Sequence, residues 1–375
     1  MPDISLIILA AGDSARFNLP VKKQFIRLNA EPLWLVATKN LSSFYPFKKI
    51  IVTSSNTSYM KKFAPNYEFV KGANTRAKSL KNALEYVDSE FAMVSDSARV
   101  FISKRLCESL IENIANADCI TPALKVADTT LYNDELLQRE GIKLIQTPQL
   151  SRTKLLKKAL DKGEKQGIEF KDDSTAISSV GGKIWFVEGE ERAKKITFKE
   201  DLFTLNLPAP SNDIFIGNGF DVHEFGEKRA LLLGGIKVHA NMGVKAHSDG
   251  DLIAHALTDA LLGAASLGDI GEHFPDTNDE FKGANSMNLL SKVYALVQSV
   301  GFELVNADIT LIAQAPKISA FKEKIAQNVA ATLGVGEFRI NIKATTTEKL
   351  GFIGRKEGIA ALASVSLKFY DWTKK

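Results

Sequence analysis

The first 120 residues of the chain alternate short apolar runs with amphipathic stretches, and this alternation restricts the fold more than any other feature. The apolar runs are residues 4–10, Ile50–Thr53, Phe91–Ser95 and Cys119–Thr121, and the helix-like stretches lie near Leu33–Leu41, Thr75–Val87 and Leu106–Ile114. Strands and helices that alternate in this way predict an α/β fold with a doubly wound, mostly parallel sheet. Because ligands bind beyond the carboxyl ends of such strands, functional residues are expected just after each apolar run.

A proline-containing segment, Leu205–Asp213, interrupts this pattern. Its two prolines end any preceding helix, and the Ser, Asn and Asp residues that follow them favour a turn before the next apolar run. We therefore predict two domains, residues 1–208 and 214–375, joined by a linker of residues 209–213. A chain of 375 residues is long enough for two hydrophobic cores.

The second domain is predicted to be a smaller α+β unit. Helices are expected at Asp251–Leu262 and Asn285–Val300, and strands at Val305–Ile312, Arg339–Thr345 and Ile359–Phe369. A domain of about 160 residues has a large surface for its volume, so we expect it to bury part of that surface in an oligomer.

The composition excludes several classes of function. Hydrophobic residues form 45% and charged residues 25% of the chain, and no run approaches the ~18 apolar residues of a membrane span. Residues 1–210 carry 31 Lys and Arg against 25 Asp and Glu, and the remaining residues carry 17 against 19. The small positive excess of residues 1–210 suits a small anionic substrate and is too weak to indicate nucleic-acid binding. The N-terminus lacks the basic region of a signal peptide, and Cys107 and Cys119 have no metal-site spacing, so we expect a cytoplasmic protein.

The residues after the first apolar run are suited to phosphate binding. Ala10, Ala11 and Gly12 allow a ligand to approach the backbone, and Arg16 and Lys23 bring two cations to the same place. The spacing matches neither the Walker loop nor the dinucleotide fingerprint GxGxxG. An ordinary turn with solvated charges therefore stays open as an alternative.

Three further polar stretches follow later predicted strands: Gly72–Ser79, Ser95–Arg99 and Thr147–Gln149. An aspartate at a strand end, beside cations that bind phosphate, is a natural magnesium ligand, which points to Asp96. Each stretch taken singly also fits a helix cap or a surface ion pair.

A second candidate site lies between Gly219 and Asp259, where four of the five histidines occur. Asp221 and His223 are two residues apart and therefore leave the same face of a strand. His255 lies on a predicted helix that begins after His-Ser-Asp-Gly-Asp. One carboxylate and two imidazoles that leave a tetrahedral position open are suited to catalytic zinc. For any two of these histidines considered alone, a packed or surface location remains the alternative.

The N-terminal motifs resemble a known family. AAGDSARF, PVKKQF, GANTRAKS, SDSARV, TPQ, DDSTA and KKITFKEDL follow one another over residues 1–205. In this order they resemble the 2-C-methyl-D-erythritol 4-phosphate cytidylyltransferases of the non-mevalonate isoprenoid pathway. The resemblance implies that the substrate phosphate attacks the α-phosphorus of CTP and that pyrophosphate leaves. Such a reaction needs positioning and charge stabilisation without a covalent intermediate.

The same resemblance implies roles for individual residues. Arg16 and Lys23 would stabilise the transition state, and Asp96 would hold Mg²⁺ or Mn²⁺. The implied nucleotide contacts are Ala10, Ala11, Gly12, Gly72 and Ser79. The implied methylerythritol phosphate contacts are Asp96, Thr129, Arg139, Thr147 and Lys195, in part across a dimer interface, and Arg139 and Lys195 are also expected to act in catalysis. Ser95, Ser97 and Val100 depart from the family's His-Asp-Ala-Ala-Arg-Pro, and Ala73 departs from its Gly-Gly, which puts fine nucleotide contacts in doubt.

The C-terminal motifs FDVH, HSDGD, GDIGEHFPD, AQAPK and ATTTEKLGF closely resemble 2-C-methyl-D-erythritol 2,4-cyclodiphosphate synthase, from about Ile214 to Leu367. The resemblance implies a homotrimer with active sites between subunits. Asp221, His223 and His255 would bind zinc, and Glu348 a second divalent ion, Mg²⁺ or Mn²⁺. Zinc would polarise the β-phosphate so that the substrate's 2-phosphate attacks it and CMP departs.

Further contacts in this domain are implied by position. The implied substrate contacts are His247, Ser248, Asp269, Gly271, Asp276, Ala313, Pro316, Lys317, Thr345, Thr346, Thr347, Phe352 and Arg355, of which His247 and Thr346 are expected to act in catalysis. We predict that His273 is an exposed loop histidine and that His239 lies on the surface of a flexible segment.

Both halves thus resemble enzymes that handle cytidine nucleotides, which predicts a bifunctional enzyme. The resemblance implies a kinase step between the two reactions, and no kinase motif occurs in the chain. We therefore expect the fusion to serve assembly and co-expression. A dimeric first domain and a trimeric second domain would close as a hexamer.

Two alternatives belong to other functional classes. The departures at Ser95, Ser97 and Val100 allow a first domain that only senses nucleotides or oligomerises, although Arg16, Lys23 and Asp96 argue against this. The second domain could instead be a zinc phosphohydrolase, which AQAPK and TTTEKLGF argue against.

Overall fold

The computed structural model describes residues 1–275 and 283–374. The chain divides into two compact units, Met1–Pro208 and Ala209–Lys375, and each is considered by itself. Among the described residues we find no helix whose length and hydrophobicity would allow it to cross a bilayer.

The first unit is an α/β structure. Its strands are β1 (Ile4–Leu9), β2 (Arg27–Leu28), β3 (Glu31–Pro32), β4 (Ile50–Ser54), β5 (Glu68–Lys71), β6 (Phe91–Asp96), β7 (Cys119–Lys125), β8 (Thr130–Tyr132), β9 (Glu135–Leu137), β10 (Lys143–Ile145), β11 (Gln149–Arg152) and β12 (Ile184–Glu188). Its helices are α1 (Leu33–Ser42), α2 (Thr57–Lys61), α3 (Arg76–Leu84), α4 (Lys104–Glu112), α5 (Thr153–Gln166), α6 (Asp173–Ser179) and α7 (Glu200–Thr204).

The main sheet of this unit has the order β10-β7-β11-β6-β1-β4-β5, and β12 also pairs with β7. The pairs β5–β4, β4–β1, β1–β6 and β7–β12 are parallel, whereas β11 and β10 run antiparallel to their neighbours. β1 is almost entirely apolar because both faces of the sheet are covered, and its one polar residue, Ser5, is also buried. The predicted mostly parallel sheet is confirmed. Its strand order places the carboxyl ends of β1, β4 and β6 side by side.

The second unit is an α+β structure. Its strands are β13 (Ile214–Glu227), β14 (Leu231–Leu233), β15 (Ile236–His239), β16 (Gly243–Val244), β17 (Phe302–Ile312), β18 (Ile340–Thr345) and β19 (Gly358–Phe369). Its helices are α8 (Leu252–Ala264), α9 (Ile270–His273), α10 (Ser286–Ser299), α11 (Lys322–Leu333) and α12 (Gly351–Gly354). The sheet has the order β16-β13-β19-β17-β18, in which only β17 and β18 run parallel.

Two glycines of β13 allow the buried helix α8 to lie directly on the sheet. A Cβ atom at Gly217 would come within 2.1 Å of the Ala260 carbonyl oxygen, and one at Gly219 within 1.9 Å of the Ala256 carbonyl oxygen. Such distances are far below van der Waals contact, so only glycine permits this approach. The close packing brings the side chain of His255 on α8 next to the residues that follow Gly219 on β13.

The start of α8 is held by Asp251, which is fully buried. Its carboxylate accepts hydrogen bonds from the backbone N–H of Ala254 at 3.1 Å, Gly234 at 2.8 Å and Gly235 at 2.6 Å. It therefore caps the helix and also ties the turn between β14 and β15 to it. Burial raises the pKa of Asp251 in spite of these donors.

Two predictions about single histidines have different outcomes. His239 is exposed, as predicted, although it ends strand β15 and does not lie in an irregular segment. The prediction for His273 is wrong: it ends helix α9 and is only partly exposed, and its Nε2 lies 2.9 Å from the Leu267 carbonyl oxygen. The helix forms because Asp269 caps it, accepting a hydrogen bond from the Glu272 N–H at 3.0 Å.

Candidate active sites

A cavity of about 430 Å³ opens at the carboxyl ends of β1 and β6 in the first unit. The residues predicted from sequence that line it are Ala10, Ala11, Gly12, Lys23, Ser79, Asp96 and Lys195. They come from five separate stretches of sequence, and the strand order of the sheet brings them together. The cavity mouth combines backbone N–H groups with ammonium and carboxylate side chains.

The loop after β1 is held by Gln24, a buried side chain that sequence reasoning missed. Its Nε2 donates to the Gly12 carbonyl oxygen at 2.9 Å, and its Oε1 accepts from the Ser14 hydroxyl at 3.1 Å. The Ser14 Oγ in turn accepts from the Lys23 backbone N–H at 2.9 Å. These bonds fix the position of Lys23 relative to Gly12. The only sequence signal for Gln24 is its place inside the PVKKQF motif.

Asp96 lies at the centre of a buried charge network. Its Oδ2 is 2.8 Å from Nζ of Lys195, and its Oδ1 is 3.9 Å from Nε of Arg76. Burial alone would raise the pKa of Asp96, but the cations Lys195 and Arg76 outweigh it and hold that pKa below its usual value. The carboxylate is therefore ionised at neutral pH and available to a divalent cation.

Arg76 and Asp173 extend this network and were not predicted as site residues. Arg76 Nη1 donates to Asp173 Oδ1 at 2.8 Å, and the Asp173 side chain is fully buried. The carbonyl oxygen of the Gln149 side chain accepts the backbone N–H of Asp173 at 3.0 Å. Arg76 thus lies between two carboxylates that are 77 residues apart in sequence. The motifs GANTRAKS and DDSTA contained both residues, but spacing alone could not pair them.

Lys23 is a buried cation whose charged form is disfavoured. Burial lowers its pKa to about 8, and repulsion from Lys195 and Arg16 acts in the same direction. A triphosphate would supply the missing negative charge. The first site therefore has the electrostatics of an anion-binding cavity.

Of the other predicted residues of this unit, Arg16 is exposed and does not line the cavity. Gly72 contacts Ala11, since a Cβ atom on Gly72 would be 2.1 Å from the Ala11 Cβ, and Thr147 Oγ1 accepts the Asp96 N–H at 3.2 Å. Thr129 and Arg139 do not line the cavity. They are exposed and flank the hairpin β8–β9, where Arg139 Nη1 donates to the Ala127 carbonyl oxygen at 2.9 Å.

The second site consists of Asp221, His223 and His255, whose ligand atoms lie within 4.8 Å of one another. Asp221 Oδ2 is 3.2 Å from His223 Nε2 and 3.0 Å from His255 Nδ1. Burial would raise the pKa of Asp221, but its contacts with the two histidines keep it well below the usual range. The close packing of α8 on β13 creates this cluster from the predicted residues.

The donor set fits a divalent cation. Nε2 of His223 is buried and has no hydrogen-bond partner in the described part of the chain, although Asp221 Oδ2 is near. A buried nitrogen without a partner is costly unless a ligand satisfies it. Two imidazoles and one carboxylate directed at one point leave a tetrahedral position open, which is the arrangement of catalytic zinc.

A cavity of about 240 Å³ adjoins this cluster. The predicted residues His247, Ser248 and Gly271 line it together with Asp259, a residue to which sequence reasoning gave no role. The Asp259 Oδ1 accepts the Ile270 N–H at 2.8 Å and so ties the start of α9 to α8. Asp269 is the N-cap of α9, and Asp276 lies outside the described residues.

The predicted cytidine and phosphate contacts do not line this cavity, and neither do the predicted metal ligand Glu348 and the predicted substrate contact Arg355. The cytidine and phosphate contacts are Ala313, Pro316, Lys317, Thr345, Thr346 and Thr347. Most of them form a separate cluster, because the Ala313 N–H donates to the Thr345 carbonyl oxygen at 3.0 Å and the Thr346 hydroxyl donates to Glu348 Oε1 at 2.9 Å. Arg355 pairs with Glu357, and Phe352 lines a shallow hollow beside His223.

Comparison with known proteins identifies both halves. Residues 4–207 match the family model described as 2-C-methyl-D-erythritol 4-phosphate cytidylyltransferase, and residues 214–368 match that of the YgbB family. Proteins named bifunctional enzyme IspD/IspF, from Campylobacter jejuni strain 81-176 and Campylobacter lari, are each 69% identical over 374 residues and all of both chains. The solved structure of the bifunctional IspDF from Campylobacter jejuni superimposes with a TM-score of 0.92 at 68% identity, covering 99% of this chain and 100% of that one.

Proposed function

The chain belongs to the family of bifunctional IspD/IspF enzymes of isoprenoid biosynthesis, and we propose that its two cavities are the active sites of the two activities. The first domain is a cytidylyltransferase that uses CTP and 2-C-methyl-D-erythritol 4-phosphate. The second is a cyclodiphosphate synthase. The prediction of a bifunctional enzyme from the two resemblances is confirmed.

In the first cavity the chain's own groups position two anions against each other. An oxygen of the methylerythritol phosphate forms a bond to the α-phosphorus of CTP, and the bond to pyrophosphate breaks. We assign Lys23 and Arg16 to the charge that develops on the phosphates, because burial and the neighbouring cations lower the pKa of Lys23 and a bound anion would offset this. The backbone of Ala10–Gly12 would contact the triphosphate, and Gln24 keeps that loop in place.

Asp96 would hold Mg²⁺ or Mn²⁺ on the triphosphate, since its carboxylate is ionised and faces the cavity. A divalent ion there would neutralise charge on the phosphate oxygens. Lys195 would keep Asp96 in place before substrate binds, through the ion pair of 2.8 Å. Thr147 Oγ1 accepts the backbone N–H of Asp96 and so helps to hold the same residue in place.

In the second cavity the substrate's own 2-phosphate attacks the β-phosphorus of its diphosphocytidyl group, and CMP leaves. We assign zinc to Asp221, His223 and His255; bound there, it would polarise an oxygen of the attacked phosphate. His247 and Ser248 would line the methylerythritol portion. Glu348, with Thr346 hydrogen-bonded to it, would take the second divalent ion.

The assembly is also part of the proposal. Thr129 and Arg139 lie outside the first cavity, and the cytidine and phosphate contacts lie outside the second, so each site would be completed by a neighbouring copy. Exposed apolar side chains support this: Leu131, Tyr132, Leu136 and Leu137 on the β8–β9 hairpin, and Ile214, Ile216, Phe220 and Val222 on β13. We propose a dimeric first domain, a trimeric second domain and a hexamer that satisfies both. A cytoplasmic location agrees with the two unpaired cysteines.

The observation that carries this assignment is that predicted residues meet at each cavity: Lys23, Asp96 and Lys195 at the first, and the cluster of Asp221, His223 and His255 with His247 and Ser248 at the second. Phosphorus NMR of the purified chain tests it directly, with CTP, methylerythritol 4-phosphate and Mg²⁺ in one tube and the 2-phosphorylated cytidyl substrate in another. We expect pyrophosphate in the first and a cyclic diphosphate with CMP in the second. A silent first tube would support a sensing or assembly module, and release of inorganic phosphate in the second would support a phosphohydrolase.

A further inference from the structure

The His255 ring has a hydrogen-bonding environment on both of its nitrogens. Nδ1 lies 3.0 Å from Asp221 Oδ2, on the side of the proposed metal site. Nε2 lies 2.8 Å from the hydroxyl oxygen of Ser286, the first residue of α10, which is 1% exposed. A neutral imidazole carries one proton and one lone pair, so the partner on Nε2 decides which atom is left to bind a metal.

The Ser286 hydroxyl is itself oriented by Asp249. Its Oγ donates its only proton to Asp249 Oδ1, and its backbone N–H donates to Asp249 Oδ2 at 3.0 Å. An ionised carboxylate accepts hydrogen bonds and cannot donate one. The Ser286 oxygen can therefore offer only a lone pair to His255, and Nε2 must be the nitrogen that carries the proton.

Ser248 contributes a second oxygen near the same nitrogen. Its Oγ lies 3.2 Å from His255 Nε2 and accepts the Gly250 backbone N–H at 3.1 Å. The presence of Ser248 does not change the direction of the Ser286 hydroxyl, because the Ser286 proton is already donated to Asp249.

We propose that Asp249 and Ser286 are positioning residues that hold His255 in the tautomer with its proton on Nε2 and its Nδ1 lone pair directed at the metal site. Without them, the opposite tautomer would donate from Nδ1 to Asp221, a hydrogen bond that competes directly with a metal ion. The chain His255–Ser286–Asp249 joins α8, α10 and the loop before α8, so it also fixes the ring plane. Outer partners of this kind typically change metal affinity by about 10–100-fold.

The inference rests on the proposed metal site, and a zinc competition titration with a chromophoric chelator tests both on the full-length chain. The variants are Ser286→Ala, Ser286→Thr and Asp249→Asn. Ser286→Ala keeps the backbone N–H that bonds to Asp249, so α10 keeps its anchor. The matched control is Ser299→Ala, which removes a hydroxyl from the other end of α10, where it donates to the Leu296 carbonyl oxygen at 2.8 Å.

We expect Ser286→Ala to weaken zinc binding by about 10–100-fold and Ser286→Thr to stay close to wild type, because the hydroxyl is retained. Asp249→Asn frees the Ser286 proton to point at Nε2 and should weaken binding as well. Since the two residues act through one chain of hydrogen bonds, the double variant should lose no more than the larger single loss. Ser299→Ala should bind zinc as wild type does.

The outcomes separate the two claims. Wild type without measurable zinc affinity would refute the metal site itself. Wild type that binds zinc, with Ser286→Ala within about twofold of it, would refute only the role of Ser286. Additive losses in the double variant would refute the shared chain of hydrogen bonds.

Thermal unfolding of each variant identifies any variant that fails to fold. If Ser286→Ala fails to fold, the zinc affinity of Asp249→Asn tests the proposal in its place. The d–d spectrum of the Co²⁺-loaded forms gives a second readout, which should change in Ser286→Ala and return to the wild-type form in Ser286→Thr.

Discussion

The two candidate sites differ in how much of each is assembled within one copy of the chain. In the first unit, backbone, cations and a carboxylate from five stretches line one cavity. In the second, the metal ligands are together, while the segments Ala313–Lys317 and Thr345–Glu348 lie elsewhere. A doubly wound sheet collects its loops at one edge, whereas a small α+β domain has no such edge and is expected to build its site with a neighbour.

The sites also differ in charge. The first has two lysines around a buried carboxylate and is expected to attract an anion, while the second combines imidazoles with a carboxylate and is expected to attract a cation first. Variants in one domain should therefore leave the other reaction intact.

The largest effect is expected from Asp221→Asn. The amide is a poor ligand for zinc and carries no negative charge to complete the set formed with the two histidines. Cyclisation should therefore fall by about 10³-fold, and zinc affinity should fall with it. Pyrophosphate release by the same preparation should stay within about twofold. Phosphorus NMR of both reactions measures this, with Asp308→Asn as control, a partly exposed carboxylate of the same sheet that pairs with Lys343. Equal loss of both activities would contradict the independence of the two sites.

The next effect concerns the stability of the first unit. Arg76→Met leaves the buried Asp173 without its cation, which should cost about 3 kcal/mol of unfolding free energy. Differential scanning calorimetry should show one transition move down while cyclisation activity at 25 °C is unchanged. Lys81→Met, which removes a surface contact to Asp161 and Glu164, should cost less than about 1 kcal/mol. Similar losses in both variants would show that Arg76 is not a buried partner.

Lys23→Met should lower cytidylyl transfer by about 10²-fold, because a cation beside the α-phosphate is lost, and should raise the stability of the ligand-free protein. The pKa of Lys23 is about 8 in the folded protein and near 10.5 in the unfolded chain. Between these values the unfolded chain binds more protons, so wild-type stability rises with pH relative to the variant.

Unfolding curves at pH 7 and pH 10 check this direction of the pH dependence of stability. The stability difference between Lys23→Met and wild type should shrink at the higher pH, whereas Lys22→Met, a neighbour that does not line the cavity, should show no such trend. A difference that grows with pH would mean that Lys23 is not desolvated.

The smallest effect is expected from Leu136→Asp, at an exposed hairpin position. A charge there should weaken the proposed dimer and, through Thr129 and Arg139, lower cytidylyl transfer by about tenfold, with cyclisation unchanged. Light scattering should report trimers in place of hexamers. A hexamer that survives with full activity would refute the role given to the hairpin. Trp185→Asp, an exposed aromatic residue on β12, shows whether the effect is specific to the hairpin.

Much of the fold could be predicted because its signals are local. The apolar run of residues 4–10 becomes β1, Asp221 and His223 leave the same face of β13, and the α8 helix begins after the acidic run before it. His273 shows the limit of such reasoning, since a single cap at Asp269 turned an expected loop into a helix.

The sequence by itself determined the order of the two domains, the mostly parallel sheet and part of the lining of each cavity, because strand periodicity and loop position follow from neighbours along the chain. Only the tertiary structure decided which distant groups pair. Arg76 with Asp173, Gln24 with Gly12 and Ser286 with His255 depend on the packing of separate elements. Such contacts join residues whose spacing in sequence carries no periodic signal, and their geometry follows from close packing such as that of α8 on Gly217 and Gly219.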